Sequence, residues 1–370
     1  MSELIVTVAA LLYFSAALGL VCYGLNCYVL LFLFWRGRSR AAARLDSYPS
    51  HTATQAAFPV VTTQVAIYNE INVAERVMSA ACAMQYPRGR HEIQILDDST
   101  DETRELVDRV AAALHSAGHD IKVIRRAHRR GYKAGALAGG LAVARGELVA
   151  VFDADFVPPP DFLLRSAPFF KHEPRLGLVQ ARWGHLNRDS SLLTRAQAIG
   201  IDGHFMVEQG ARSWNHLYMN FNGTAGLWRR AAIEAGGGWQ WDTLTEDMDL
   251  SYRVQFAGWT TLYLSDLVVP AEIPDTIGAF KSQQFRWAKG STQTAIKLLP
   301  TLWRQPVSGF KKLQAFFHMT HYFVHPLMLI LALLALPVLL TLRLDLAPLL
   351  FLVLTAALGI SILGPNALYF

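Results

Sequence analysis

Cysteine is scarce in this sequence: Cys22, Cys27 and Cys82 are the three among 370 residues. They form no C-x-x-C pair and no Cys/His spacing of a zinc site, which excludes a disulfide framework and a structural zinc module. No internal repeat or low-complexity segment occurs. No basic stripe with interleaved aromatics accompanies the net charge of +5, so nucleic acid is not an expected partner. That charge suits anionic headgroups or phosphorylated substrates instead. A cleavable leader fits the order of features at the start poorly, because its apolar core is shorter and its charges precede it. Glu3 is the sole charge before the first apolar run, and the arginines come after it.

What is abundant is apolar surface. Hydrophobic residues make up 52% of the chain, above an ordinary soluble domain, and the excess sits at the two ends. Leu4 to Trp35 is long enough to cross a bilayer, which takes about 20 apolar residues. Arg36, Arg38, Arg40 and Arg44 follow it, so the positive-inside tendency puts the N-terminus outside and the chain from about residue 36 in the cytoplasm. Further spans are expected over Phe316 to Leu342 and from about Leu346 to the end, joined by a tight Arg343-Leu344-Asp345 connection. Because the sequence stops inside apolar residues, more membrane helices are expected beyond it. The expected division is a transmembrane helix at 1–36, a linker at 37–58, an α/β domain at 59–274, amphipathic interfacial helices at 275–312 and two transmembrane helices at 313–370. This describes a multi-pass protein of the plasma (inner) membrane with its main domain in the cytoplasm.

Between the apolar ends, β-branched runs alternate with helical stretches, the signature of an α/β sheet. Strands are expected over Val60 to Ile67, Glu92 to Leu96, Ile121 to Ile124 and Glu147 to Phe152. Ser99-Thr100-Asp101-Glu102 has the form of a capping box opening a helix to about Ser116. Ligands of open α/β sheets gather outside the carboxyl ends of strands. Tyr68, Glu70, Asp97, Asp98, Asp153 and Asp155 all fall there.

Each of these residues has an ordinary reading and a chemical one. Asp153-Ala154-Asp155 ends a strand and precedes three prolines that hold an extended loop. As an acidic loop it needs no ligand, but alternate carboxylates also suit a hard cation, Mg²⁺ or Mn²⁺, beside a diphosphate. Asp97 and Asp98 are either helix-start acids or contacts to a nucleotide's base and ribose, with the Tyr68 ring placed to stack on the base. Lys133, in Gly131-Tyr132-Lys133-Ala134-Gly135 at a helix start, suits phosphate. The Arg125-x3-Arg129 spacing lies within the sheet domain and carries no cyclic-dinucleotide reading.

Thr245-Glu246-Asp247 precedes an amphipathic helix and follows Gly236-Gly237-Gly238. A carboxylate at a helix N-terminus is well oriented to take a proton from a hydroxyl, and Asp247 is the chosen base. Gln283-Gln284-Phe285-Arg286-Trp287 lies on an amphipathic segment, about Ile277 to Leu299, that approaches the membrane. Trp287 reads either as an interfacial anchor or as a platform for a sugar's C–H face, and Arg286 suits diphosphate. His318, His321 and His325 share one expected helix face. Interhelical hydrogen bonding or a polar groove fits them better than a three-histidine metal site, because no carboxylate is near in sequence.

Four such motifs in order, flanked by membrane runs, resemble the family-2 glycosyltransferases of the cellulose synthase superfamily. The look is most that of the plant cellulose-synthase-like A and C proteins, which make mannan or glucomannan and glucan backbones, and of their bacterial relatives. The matching runs are Gln94 to Asp101, Gly131 to Leu137, Phe152 to Phe156, Val179 to Trp183, Phe221 to Gly226, Thr245 to Leu250 and Gln283 to Trp287. The resemblance implies a GT-A fold (a Rossmann-like mixed sheet) and inverting transfer. In that pattern Asp247 is the base, Asp153 and Asp155 hold donor and metal, and Arg286 meets diphosphate. Trp287 and Gln283 with Phe221, Asn222, Gly223 and Thr224 form the acceptor side. A Phe-x-Val-Thr gating loop and a cyclic-dinucleotide-binding domain are not found in this sequence, so the resemblance leaves polymer export and that regulation open.

The expected activity is therefore β-glycan synthesis from a nucleotide sugar, UDP-glucose first, with GDP-mannose and a (gluco)mannan product as the second reading. A lipid acceptor and an inactive scaffold or export subunit are the rivals. A homo-oligomer or an export partner is left open.

Overall fold

The computed structural model describes residues 3–46, 58–341 and 348–369. Its centre is a seven-stranded mixed sheet in the order β3-β2-β1-β4-β6-β5-β7. The strands are β1 Val61–Ile67, β2 His91–Asp97, β3 Ile121–Ile124, β4 Leu148–Asp153, β5 Leu176–His185, β6 Gly226–Arg229 and β7 Thr260–Ala271. The first four match the sequence expectation to within a residue or so at each end. β6 runs antiparallel to both of its neighbours, and the other pairs are parallel.

Period-2 alternation gives the sheet two apolar faces. Val61, Val65, Ile93, Ile95 and Phe152 pack against Val77, Met78 and Ala81 of the Ile71–Ala83 helix. Leu96, Val149 and Val151 pack on the other face against Leu137 and Leu141 of the Tyr132–Val143 helix. Parallel register then fixes where the chain leaves the sheet. Ile67 lies opposite Asp97, and Ala66 lies opposite Asp153, so Asp97, Asp153 and the Tyr68–Glu70 turn emerge at one edge.

The capping box does not form. The helix opens at Thr103, whose N–H donates to Asp101 Oδ1 at 3.0 Å, while Ser99 Oγ accepts from the Asn69 N–H. A tertiary partner has taken the hydroxyl that a local cap needed.

The first apolar run is a helix, Glu3–Asp46. Residues 37–46, expected as linker, continue it, because Gly37 packs against Trp214 and Asn215 donates to the Leu33 carbonyl at 2.9 Å. Residues 47–57 of that linker and the Arg343–Asp345 connection lie outside the described residues. Helices Val324–Thr341 and Pro348–Tyr369 pack along the N-terminal helix. Among the described residues, two stretches are long and apolar enough to cross a membrane, Leu4–Ser39 and His321–Val338.

The histidine face is broken. His318 ends the Gly309–Met319 helix, His321 lies in a 3₁₀ turn and His325 opens the next helix. Thr320 causes the break: its hydroxyl bonds back to the Phe316 carbonyl at 2.6 Å and meets Tyr23 Oη at 2.7 Å, a pattern that bends helices. His318 instead pairs with Tyr252 Oη at 2.7 Å, the interhelical bond expected of it.

Candidate active site

Three segments converge at the carboxyl edge of the sheet. The end of β4 supplies Asp153, and its continuation supplies Asp155. The turn before β6 supplies Asn222, Gly223 and Thr224. The Glu246–Phe256 helix presents Asp247 from its first turn. Lys133 joins them. Its ammonium pairs with Asp153 and donates to the Gly223 carbonyl at 2.8 Å. Burial alone would lower the pKa of Lys133, but Asp153, Glu246 and Asp247 around it leave it raised.

Gly223 has φ +84°, a left-handed conformation that only glycine takes without strain. A Cβ there would sit 3.2 Å from Asp247 Oδ2 and 3.5 Å from Lys133 Nζ, so the bare backbone allows the approach. Thr224 Oγ1 accepts the Asp153 N–H at 2.9 Å, stitching the turn to the strand end.

The electrostatics suit proton transfer. Burial first, and then the neighbouring Glu246, push Asp247 up to about 7, although the Met248 N–H donates to its Oδ1 at 2.8 Å. Burial also raises Glu246. Across the site, burial and the charge of Asp153 push Asp155 up to about 7, and burial raises Glu70. Carboxylates so close favour a cation between them, and hard oxygen donors fit Mg²⁺ or Mn²⁺. Among the described residues no group of three or more side chains could hold a metal alone. A cation here would complete its shell with diphosphate oxygens and water.

Several expectations are corrected. Phe221 is fully buried, stacked edge-on against Trp228, so its ring supports the turn from beneath and meets no acceptor. The Thr224 side chain is likewise buried and spent on Asp153. The Asp97 carboxylate has no exposed surface; it accepts from the Ser99 N–H at 3.0 Å and pairs with Arg125 at 2.7 Å, which leaves nothing for base or ribose. Asp98 pairs with Arg126 and keeps a small exposed edge. The Tyr68 ring carries the Arg129 guanidinium 3.2 Å from its centroid, so one face is covered.

The Gln-Gln-Phe-Arg-Trp motif lies on the helix Ile277–Arg304, capped by Thr276. One face of that helix, Gln283, Trp287, Gly290 and Thr294, grows progressively more buried. Gly290 lies so close to Thr245 that a Cβ would be 2.5 Å from its methyl group, and Thr294 meets the Thr245 hydroxyl at 3.0 Å. Lys297 adds ion pairs to Asp242 at 2.8 Å and Asp249 at 3.0 Å. Trp287 is therefore on the face turned toward the Thr245–Asp247 turn. Arg286 is exposed, with no ion-pair partner among the described residues.

Gly290, Thr294 and Lys297 carry no motif of their own. Their signal in sequence is positional, about one to three turns beyond Trp287 on the same face. Gln180 is a further residue of this kind: its amide donates to the Thr224 carbonyl at 3.0 Å and accepts the Asn222 N–H at 3.1 Å.

A mixed sheet with carboxylates at its strand ends, faced by an acidic helix start, defines a GT-A glycosyltransferase. The chain belongs to glycosyltransferase family 2: the family described as "Glycosyltransferase like family 2" matches residues 59–290. The glucomannan 4-beta-mannosyltransferase 2 of Arabidopsis thaliana is 43% identical over 288 residues, covering 77% of this chain and 54% of that protein. A probable glucomannan 4-beta-mannosyltransferase 7 of Oryza sativa subsp. japonica is 44% identical over 69% of this chain and 44% of its own length. The chain thus spans about half the length of the curated relatives it matches. The solved mannosyltransferase from Pyrobaculum calidifontis, in complex with GDP-Man and Mn²⁺, has the same fold. Its TM-score is 0.62 at 21% identity, covering 95% of this chain and 98% of that one.

Proposed function

We propose that the chain is an inverting mannosyltransferase of the membrane, taking mannose from GDP-mannose and adding it to a growing β-linked mannan or glucomannan. The observation that carries the reading is Asp247, held at a helix start against Gly223 and near Lys133, with its pKa pushed up to about 7. The choice of donor rests on the names of the relatives, glucomannan 4-beta-mannosyltransferases, which favour GDP-mannose over the UDP-glucose first expected.

In this mechanism the Asp247 carboxylate takes the proton of an acceptor hydroxyl. That oxygen attacks the anomeric carbon of the α-linked donor, the bond to diphosphate breaks, and GDP departs with the electron pair. A single displacement inverts the centre and leaves a β-link. Lys133, and Arg286 on the facing helix, offset the negative charge that develops on the leaving group. Asp153 and Asp155 would hold a divalent cation, which when bound would supply further charge stabilisation of the diphosphate. Asn222 and Gly223 shape the acceptor side, and Trp287 offers its ring to the sugar. Tyr68, Glu70 and Asp98 border the nucleotide side.

The setting is a bilayer. Arg36 and Arg38 are exposed on the first long helix, beyond most of its apolar run. The positive-inside tendency then places the catalytic domain in the cytoplasm. The test is purified protein in lipid, given radiolabelled GDP-mannose or UDP-glucose in parallel with Mg²⁺ or Mn²⁺. Label in a product cut by endo-β-mannanase supports the reading. Incorporation from UDP-glucose alone, into a product cut by β-glucanase, refutes it.

A further inference from the structure

The Leu192–Gly203 helix does not stop at Gly203; it passes into a single π-helical segment, His204–Gln209. Such segments are rare and cluster at functional sites. This one carries a run of polar side chains toward the acceptor turn. Glu208 accepts from Arg212 at 2.8 Å through one oxygen and meets His204 Nδ1 at 2.9 Å through the other. His204 Nε2 meets the Asn222 side-chain nitrogen at 2.9 Å. Asn222 Oδ1 accepts from Gln209, whose amide also donates to the Asn220 carbonyl at 3.0 Å.

The proton positions follow from charge. Burial opposes ionisation of Glu208, but Arg212 and His204 outweigh it and hold the carboxyl well below the usual carboxylate range. An ionised carboxylate only accepts, so His204 Nδ1 must donate to it. The Asn220 carbonyl can only accept, so the Gln209 NH2 faces it and the Asn222 oxygen; the Asn222 NH2 is thereby turned to His204 Nε2, which accepts. Every link has one direction. The far end is fastened as well: Arg212, almost fully buried, donates to the Gln314 carbonyl at 3.2 Å, and the Gln314 amide donates to Asn26 on the first long helix at 2.7 Å.

We propose that His204 is a positioning residue of the transfer reaction: oriented by Glu208, it fixes the Asn222 amide and so holds the Asn222–Gly223 turn where an acceptor sugar hydroxyl reaches Asp247. The inference rests on the acceptor-side reading given above. His204 touches neither the carboxylates of the donor side nor Lys133, so donor handling should not depend on it. Two relations support the specificity of the role. Asn222 precedes the glycine whose carbonyl binds Lys133, and the Gln180 amide already pins the backbone on both sides of that glycine. The side chain of Asn222 is thus the remaining freedom of the turn, and His204 and Gln209 together remove it.

The test uses the full chain in lipid nanodiscs, with GDP-mannose as donor and β-1,4-mannohexaose as acceptor probe. Three readouts are taken: donor hydrolysis without acceptor, transfer as kcat and acceptor KM, and thermal unfolding. His204→Ala should lower transfer kcat/KM roughly tenfold, the scale of one lost buried hydrogen bond. Donor hydrolysis should be unchanged, and the unfolding temperature should fall by no more than about 2–4 °C. His204→Gln, whose Oε1 can accept from Asn222, should recover most of the loss. Wild-type transfer by His204→Ala overturns the proposal, as does an equal loss of hydrolysis and transfer, or a Gln variant no better than Ala. Should the wild type use UDP-glucose and not GDP-mannose, the donor reading falls. The same variants compared with UDP-glucose and cellohexaose then decide the positioning role.

Discussion

Lys133 donates to the carbonyl of Gly223 at 2.8 Å while the same ammonium pairs with Asp153. One side chain therefore ties the carboxylates at the end of β4 to the turn beside Asp247. A shift of that turn moves Asp247, the proposed base, relative to Asp153. Since misplacement of about 1 Å can cost roughly 10²-fold in rate, the turn's geometry is a catalytic variable.

Gly223→Ala is the direct probe of it. The new methyl would meet Asp247 Oδ2 at 3.2 Å, on a backbone of φ +84° that an alanine adopts under strain. Transfer should fall by about 10–100-fold, while binding of GDP-mannose, followed by calorimetry, stays within a few-fold. Full transfer by this variant would show that the turn tolerates displacement.

Asp247→Asn should abolish transfer by roughly 10²–10⁴-fold and leave donor binding largely intact. As the proposed base it must be ionised, and burial and Glu246 push its pKa up to about 7. Wild-type kcat/KM should therefore fall as pH drops below about 7 and level off above it. Stability runs the other way. A carboxyl raised in the folded state binds its proton more tightly there than when unfolded. It therefore costs stability as pH rises from its ordinary value to about 7, and the full cost applies above that. The Asn variant should be at least as heat-stable as wild type at pH 8 while inactive. A flat pH–rate profile between pH 5 and 8 would remove Asp247 as the titrating base.

The first four strands were legible because each is a short β-branched run ending in turn residues. β6 is four residues long, and the β5–β7 pairing shifts register twice, so periodicity gives little purchase there. The site's acids were legible as motifs, but their availability was not. Whether Asp97 faces a nucleotide or Arg125, or whether Phe221 points out of its turn or under it, is decided by tertiary packing. The π segment left no local signal: His204 and Glu208 are spaced like any i, i+4 pair. The donor was not legible in the catalytic residues, since carboxylates, lysine and arginine serve the diphosphate whichever base or sugar is attached.

Gly290 sets how closely the Ile277–Arg304 helix crosses the Thr245 turn. A Cβ there would be 2.5 Å from the Thr245 methyl and 2.8 Å from its backbone nitrogen, and backbone cannot swing aside. Gly290→Val should cost about 1–3 kcal/mol by overpacking and displace Asp247 enough to lower transfer roughly 10²-fold. Gly278, on the same helix with open space around it, serves as the control. Gly278→Ala should change neither unfolding temperature nor transfer. Equal behaviour of the two variants would mean that the crossing does not set the turn.

Trp287 separates anchoring from catalysis. An interfacial anchor belongs on the exposed side of the helix, with Phe285 and Ile296, which are 64% and 71% exposed. Trp287 instead shares its side with Gly290 and Thr294, the residues that touch Thr245, and is only partly exposed. Its ring is thus one turn away from the contact that carries Asp247, where the proposed acceptor sugar would meet it. Trp287→Ala should therefore insert and fold as wild type and bind GDP-mannose with little change. It should lose transfer to mannohexaose by roughly 10²-fold, since the hydroxyl is no longer held against the base. Trp287→Phe and Trp287→Tyr keep an aromatic face and should recover part of the rate. Phe285→Ala, on the opposite side, should weaken membrane retention without changing turnover per inserted molecule. If Trp287→Ala instead elongates normally once corrected for protein level, and loses only retention, the ring is an anchor and the acceptor platform lies elsewhere.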